Sequence, residues 1–308
     1  MNDFISPPLS PGDKAALIAP SSPCRPGELD KAVRSVKFLG LTPVVMPSCK
    51  MRCGYLAGSD KQRARDINDA FASKEISCIF CIRGGYGSAR LLPQIDYPAV
   101  REHPKPFIGY SDTTALHTVF NQLCGIVTYH GPMPGIGYHE LDVASLRSLT
   151  QSLFSPQLPF SLENPGGILL KTLHPGKAAG TLTGGNLTVL ASTLGSPYEI
   201  DTKDKILFLE DVNEPLYKID RALTALDLAG KFRDCSGVIL GTFTGCEASD
   251  GDRPLSLTET VMEIIGKYEK PMISDLQAGH IYPQLTLPMG HPVHIEAAGT
   301  GKSRIEID

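Results

Sequence analysis

The chain has 308 residues and a formal net charge of −4, with 29 Lys and Arg against 33 Asp and Glu. That length suffices for a large core and for two domains. The near balance of charge excludes an electrostatic footprint for nucleic acid or for an anionic membrane. No apolar run is long enough for a transmembrane helix, and MNDFISPPLSPGDK lacks the basic and apolar regions of a secretory signal, so a cytoplasmic protein is expected.

In chain order, Ala15 to Ala19 reads as a first strand, followed by Pro20-Ser21-Ser22-Pro23 and a helix from about Glu28 to Leu39. Leu29, Val33, Val36 and Phe38-Leu39 fall near helical spacing, and Gly40 ends the helix. Pro43 to Met46 is a second strand, and Asp60 to Ser73 is a helix with Ile67, Ala70 and Phe71 inward. The strand Ile76 to Ile82 runs straight into Arg83-Gly84-Gly85-Tyr86-Gly87, and a short helix follows from Ser88 to Leu92. Phe107 to Tyr110 is a central buried strand, Thr114 to Leu123 an amphipathic helix, Ile126 to Tyr129 another strand, and Leu141 to Leu153 a helix. Apolar strands separated by helices imply a parallel sheet covered on both faces, with its ligand site outside the carboxyl ends of the strands.

Ser155 to Pro175 is rich in Pro, Gly and Ser and reads as a linker or irregular crossover. The expected division is therefore 1–154, a linker 155–176, and 177–308. Beyond it, Gly180 to Asn186 leads to a helix ending near Leu194, and Ile206 to Leu209 is a strand ending at Glu210-Asp211. Tyr217 to Ala229 is a helix, Val238 to Phe243 a strand and Leu257 to Tyr268 a helix; from Pro271 onward short strands and turns are expected. The eight cysteines read as mostly buried thiols. Cys78 and Cys81 lie inside a strand-like run rather than at the helix start a redox pair needs, and no His pair at zinc-ligand spacing accompanies Cys49 and Cys53.

Chemistry concentrates on Ser111. Almost no loop separates the central strand from the next helix, so the serine must sit on a sharp corner, beside the N–H groups that open the helix. An exposed hydroxyl beside such donors suits acyl transfer. Taken alone, the stretch favours the plainer reading that Ser111 or Asp112 caps the helix, and Thr113 stands where the usual G-x-S-x-G elbow has its second glycine. The glycine loop could bring a Gly84 or Gly85 N–H beside that of Asp112 as a second oxyanion donor, or could be a tight turn. A base is needed. His280, in a loop after the strand Met272 to Leu276, and His130, at the end of a first-half strand, both qualify, and spacing does not choose between them. His103, His139 and His174 lie in polar or Pro-rich surface stretches, and His117 packs or faces solvent. Glu210 is the carboxylate singled out to orient an imidazole, with Glu214 as an alternative and a strand-end cap as its plainer role.

The segments CIRGGYGSARLL, FIGYSDTTAL, GTLTGGNLTVLASTLGSPYEID and ILFLEDVNEPLYKIDRALTAL, with the Gly279-His280 pair, resemble the LD-carboxypeptidase family of serine peptidases, in the family's order and over nearly the whole chain. The resemblance implies a flavodoxin-like parallel-sheet N-terminal domain and a smaller β-rich α/β C-terminal domain, as a homodimer without cofactor or metal. It implies a Ser111-Glu210-His280 triad, favouring His280 over His130, and an oxyanion hole from the Gly85 and Asp112 N–H groups. The implied substrate is a murein tetrapeptide, cut before its terminal D-alanine. Arg83 and Arg90 are candidates for the substrate carboxylate. The same family contains microcin-immunity peptidases acting on peptide-nucleotide or acyl-sulfamoyl substrates, which is the alternative; a non-catalytic binder of a small ligand is a third reading.

Overall fold

The computed structural model describes residues 6–246 and 256–308. The chain divides into two units. The first runs to Pro156 and takes in Leu285–Gly290; the second holds Gln157–Gln284 and His291–Asp308.

In the first unit, strands β1 (Lys14–Ile18), β2 (Thr42–Val45), β3 (Ile76–Cys81), β4 (Phe107–Gly109) and β5 (Thr128–His130) alternate with helices α1 (Glu28–Phe38), α2 (Asp60–Ala72), α3 (Tyr97–Glu102), α4 (Thr114–Val119) and α5 (Val143–Phe154). Ala15 to Ile18, Cys78 to Cys81 and Phe107-Ile108 are fully buried, as expected of strands enclosed in a parallel sheet. The helix ends carry their own signals. Ser59 accepts from Gln62 N at the start of α2 (3.2 Å), Asp142 accepts from Ser145 N at the start of α5 (2.9 Å), and Gly40 at φ 79° stops α1. Parallel pairing gives the order β2-β1-β3-β4-β5. This is the flavodoxin-like order, whose crevice opens where the winding reverses, between β1 and β3.

The segment after Ser111 departs from expectation. One amphipathic helix to Leu123 was expected; α4 instead passes at Phe120 into a π-helical turn that Gly125 stops at φ 69°. All of Thr114 to Val119 is buried, so α4 has no solvent face. Its polar groups are satisfied internally: Thr118 Oγ1 donates to Thr114 O (2.9 Å), and His117 lies between Gly109 O (3.0 Å) and Thr128 Oγ1 (2.7 Å). His117 thus ties β4 to β5, and burial lowers its pKa to about 4.

The second unit contains β6 (Phe160–Ser161), β7 (Lys171–His174), β8 (Gly176–Asn186), β9 (Lys205–Val212), β10 (Gly237–Thr244) and β11 (Met272–Ser274). Helices α6 (Leu187–Ser192), α7 (Leu216–Leu228), α8 (Lys231–Asp234) and α9 (Leu257–Ile264) lie among them. The chain then enters β12 (Leu287–Met289), which pairs antiparallel with β5 in the first sheet, before β13 (Pro292–Ala297) and β14 (Arg304–Ile307) complete the second. That eight-stranded sheet has the order β6-β14-β13-β8-β9-β10-β11-β7, with β8 to β11 parallel.

Three boundaries differ from the sequence reading. The stretch 155–176 is not only a linker: β6 and β7 are the two edge strands of the second sheet, where flanking Pro and Gly break no ladder. Leu285–Gly290, placed by the sequence with 177–308, belongs to the first unit through β12. The strand β9 continues through Glu210 and Asp211 to Val212 rather than ending at that pair. The eleven-residue β8 was also missed, because its glycines mask the strand pattern. They are needed: a Cβ on Gly184 would lie 2.0 Å from Phe208 O, and one on Gly180 2.6 Å from Asp204 O. No helix among the described residues is long and apolar enough to cross a membrane.

Candidate active site

Ser111 stands where β4 gives way to α4. Tyr110 is extended at φ −160°, and Ser111 then turns to φ 66°. A side-chain-bearing residue enters that left-handed region at a cost of about 1–3 kcal/mol, so the surroundings must hold it there. Thr113 helps: from the second-glycine position of the elbow pattern it donates Oγ1 to Tyr110 O across the corner (3.0 Å). Gly109 leaves space for it, since a Cβ there would lie 2.7 Å from Thr113 Oγ1. Neither Ser111 nor Asp112 caps the helix with its side chain.

The Asp112 carboxylate turns instead to two loops. Buried, it accepts from Ser21 Oγ (2.5 Å) in the loop after β1, and from Gly87 N (3.2 Å) and Ser88 N (2.8 Å) in the loop after β3; Ser88 Oγ donates to Asp112 O (2.5 Å). Arg63 of α2, wholly buried, grips the neighbouring groups of the same loops. Its Nη1 donates to Pro20 O and to Gly87 O (2.9 Å), and Nη2 donates to Asp60 Oδ1 (2.5 Å). The sequence reading missed both roles. Arg63 had a signal, since it lies four residues before Ile67 and seven before Ala70 on the inward stripe of α2; the side-chain partners of Asp112 had none.

The glycine loop runs directly against the serine. A Cβ on Gly84 would lie 2.9 Å from both Cβ and Oγ of Ser111 and 3.4 Å from Asp112 N. The two arginines beside this loop are engaged within the chain. Arg90 pairs with Asp60 (2.8 Å), and Arg83 donates to Pro23 O (3.1 Å) with Glu28 at 3.9 Å.

In the second unit, His280 Nδ1 lies 2.7 Å from Glu210 Oε2. Glu210 is wholly buried within β9 and His280 is half-buried. Burial raises the Glu210 carboxyl above its ordinary range, and the His280 hydrogen bond opposes that shift. A carboxylate on Nδ1 fixes the proton there and leaves Nε2 as the basic nitrogen of the neutral ring. Asp211, the next residue along β9, points to the opposite face. It accepts from Asn186 Nδ2 (3.0 Å), Thr188 N (2.9 Å) and Thr188 Oγ1 (2.7 Å), holding the start of α6. The histidine loop is anchored at two places. Ala278 O accepts from Thr242 N (3.1 Å), and Asn164 bonds both Asp275 O (2.7 Å) and Gln277 N (2.8 Å). Asn164 comes from the stretch read as a linker, and no local pattern marked it. Of the alternatives, His130 is buried at the end of β5 with its ring 5.8 Å from that of Tyr110, and Glu214 pairs with Lys218 (3.1 Å).

Each half therefore has its own geometry: a strained serine corner with glycine main chain against it in the first unit, and a buried carboxylate–imidazole pair in the second. Two family descriptions match the chain, the LD-carboxypeptidase N-terminal domain over residues 15–131 and the LD-carboxypeptidase C-terminal domain over residues 179–295. The chain belongs to the LD-carboxypeptidase family. It is 39% identical over 285 residues to the probable murein peptide carboxypeptidase of Bacillus subtilis, covering 92% of this chain and 88% of that one. It is 30% identical over 324 residues to the Microcin C7 self-immunity protein MccF of Escherichia coli, covering 95% and 93%. The crystal structure of muramoyltetrapeptide carboxypeptidase from Oxalobacter formigenes is similar throughout, with a TM-score of 0.83 at 27% identity, over 96% of this chain and 98% of that one. As a member of the LD-carboxypeptidase family the protein is a hydrolase acting on peptides, built on a flavodoxin-like parallel-sheet domain and a second α/β domain.

Proposed function

We propose that this LD-carboxypeptidase is of the serine type and removes the terminal D-alanine of murein tetrapeptides. Ser111 is the nucleophile, His280 the general base, Glu210 the group that orients the imidazole, and the Gly85 and Asp112 N–H groups the oxyanion donors. The observation that carries the reading is the Ser111 corner: a serine held at φ 66° with glycine main chain against its hydroxyl. A helix cap requires no such conformation, whereas a nucleophile elbow, which lifts the serine out of a sharp strand-to-helix turn, is built on a strained one.

In this reaction Ser111 Oγ attacks the carbonyl carbon before D-alanine while His280 Nε2 takes the hydroxyl proton. The carbonyl π electrons move to oxygen, and the main-chain donors stabilise the oxyanion. Collapse breaks the C–N bond, and the proton passes from His280 to the departing amine. Water, deprotonated by the same imidazole, then hydrolyses the acyl ester and frees Ser111. A cytoplasmic location, and the homodimer implied by the resemblance, belong to the same reading. The test is release of free D-alanine from a murein tetrapeptide by the purified protein; unchanged release by Ser111→Ala excludes the mechanism.

A second reading is favoured by the 30% identity to MccF over most of both chains: an immunity-type peptidase cutting a peptide-nucleotide or acyl-sulfamoyl substrate by the same steps. Assays of both substrate classes side by side separate the two, and turnover of the nucleotide conjugate alone selects the second.

A further inference from the structure

An oxyanion donor at Gly85 must have its N–H aimed, and a loop containing Gly84, Gly85 and Gly87 does not aim it by itself, since glycine roams φ/ψ space on both sides of zero. The neighbouring groups decide. A trans peptide points the carbonyl of one residue and the N–H of the next in opposite directions. Gly84 O accepts from Ser22 N (3.4 Å), so the Gly85 N–H is turned to the other side of that peptide plane. One peptide further on, Tyr86 N donates to Ser22 Oγ (3.2 Å). The same serine therefore holds the peptide on each side of Gly85.

Packing closes the grip. Gly85 has φ 113°, and a Cβ built on it would lie 2.3 Å from Ser22 Oγ and 2.6 Å from Ser22 Cβ. Across the loop, Gly84 abuts Ser111 and the N–H of Asp112. Ser22 is itself fixed from the preceding two residues, since Ser21 Oγ donates to the Asp112 carboxylate and Pro20 O accepts from Arg63. The chain Arg63–Pro20 and Asp112–Ser21, then Ser22, then Gly85 runs from a wholly buried guanidinium and a buried carboxylate to the peptide facing the serine corner.

We infer that Ser22 is the positioning residue for the Gly85 oxyanion donor, acting through its N–H on Gly84 and its hydroxyl on Tyr86. The inference rests on the acyl-transfer reading above. Its contribution belongs to the transition state, because a main-chain donor aimed at an oxyanion meets only a weak acceptor in the ground-state carbonyl.

Ser22→Ala removes the hydroxyl and leaves the N–H bond, at a half-buried position where the methylene still packs. The expected result is a kcat about ten-fold lower with KM within about two-fold of the parent. A tripeptide aldehyde, which adds to Ser111 and places an oxyanion in the same hole, is expected to lose affinity by a matching factor. Tetrapeptide binding measured on the Ser111→Ala background is expected to be the same with and without Ser22→Ala. A kcat within two-fold of the parent overturns the inference, as does equal weakening of tetrapeptide and aldehyde, which marks a general loss of structure. If Ser111→Ala alone still releases D-alanine at the parent rate, the serine mechanism itself fails. An inactive Ser111→Ala with a normal Ser22→Ala removes only the role of Ser22.

Discussion

The Glu210 side chain fills the space that a side chain on Gly279 would need: a Cβ built on Gly279 would lie 2.7 Å from Glu210 Oε2 and 2.9 Å from Glu210 Cβ. Gly279 also has φ 112°, a conformation that L side chains rarely adopt. The carboxylate reaches His280 because the residue before that histidine has no side chain. Gly279→Ala must therefore push Glu210 away or rotate the loop, and either movement lengthens the 2.7 Å bond. On the proposed mechanism the expected outcome is a fall in kcat on the order of 10²-fold, since small misplacements of a group that acts in the reaction cost that much. The melting temperature should fall as well. Steady-state kinetics and a thermal melt measure both, and a variant with parental kcat would show that the Glu210–His280 contact is dispensable.

Glu210→Gln separates charge from shape. The glutamine keeps the volume but cannot hold a proton on Nδ1 as a carboxylate does, and it can present an N–H to the ring and reverse the tautomer. On the order of 10³-fold should be lost from kcat. Stability should move the other way or not at all, because burial raises the Glu210 carboxyl in the fold and so opposes the charged form as pH rises. A fall in kcat with an undiminished melting temperature at pH 7 is the expected pairing. A large drop in melting temperature would instead make Glu210 a structural ion-pair partner.

How far the sequence reached depends on which physical signal each part carries. The first sheet was legible because β1, β3 and β4 are buried and read as apolar runs, and the Ser111 corner because strand abuts helix without a spacer. The amphipathic reading of the following helix failed because Thr114, His117 and Thr118 are polar residues satisfied inside the fold, which mimic a solvent face. In the second unit, β8 hides behind glycines that close backbone contacts require, and β6 and β7 behind the Pro and Gly that edge strands tolerate. His280 and His130 could not be separated by spacing, since the register of a loop against a distant strand leaves no periodic trace. The Asp112 carboxylate draws its donors from Ser21, Gly87 and Ser88, in two other loops, and no local pattern encodes that convergence.

The Asp112 side chain should matter to stability as much as to rate. Asp112→Ala leaves Gly87 N, Ser88 N and Ser21 Oγ without their acceptor in a buried setting. Each unsatisfied donor costs about 1–3 kcal/mol, partly recovered by water and local relaxation, so a total loss of about 2–4 kcal/mol is expected. Urea denaturation at pH 7 reads it as a lower midpoint with an unchanged slope. Because the backbone N–H of residue 112 survives the substitution, kcat should fall through displacement of the glycine loop rather than through loss of that donor. A parental midpoint would mean that Arg63 alone holds the two loops.

His117 gives the fold a defined acid limit. Its pKa is lowered to about 4 in the folded protein by burial, against an ordinary value of 6.5. The unfolded chain therefore binds the extra proton first, and stability rises with pH through this window. The contribution of the neutral ring is fully present above about pH 6.5 and is lost as pH falls through the folded value, a difference on the order of 3 kcal/mol at one 1.36 kcal/mol step per pKa unit. The physical event is protonation of a ring set between Gly109 O and Thr128 Oγ1, which joins β4 to β5 beside Ser111. Urea midpoints measured from pH 7 to pH 4 should decline for the parent chain. His117→Gln, which cannot gain a proton there, should start lower and decline less steeply. Parallel declines in the two proteins would assign the acid sensitivity to other groups.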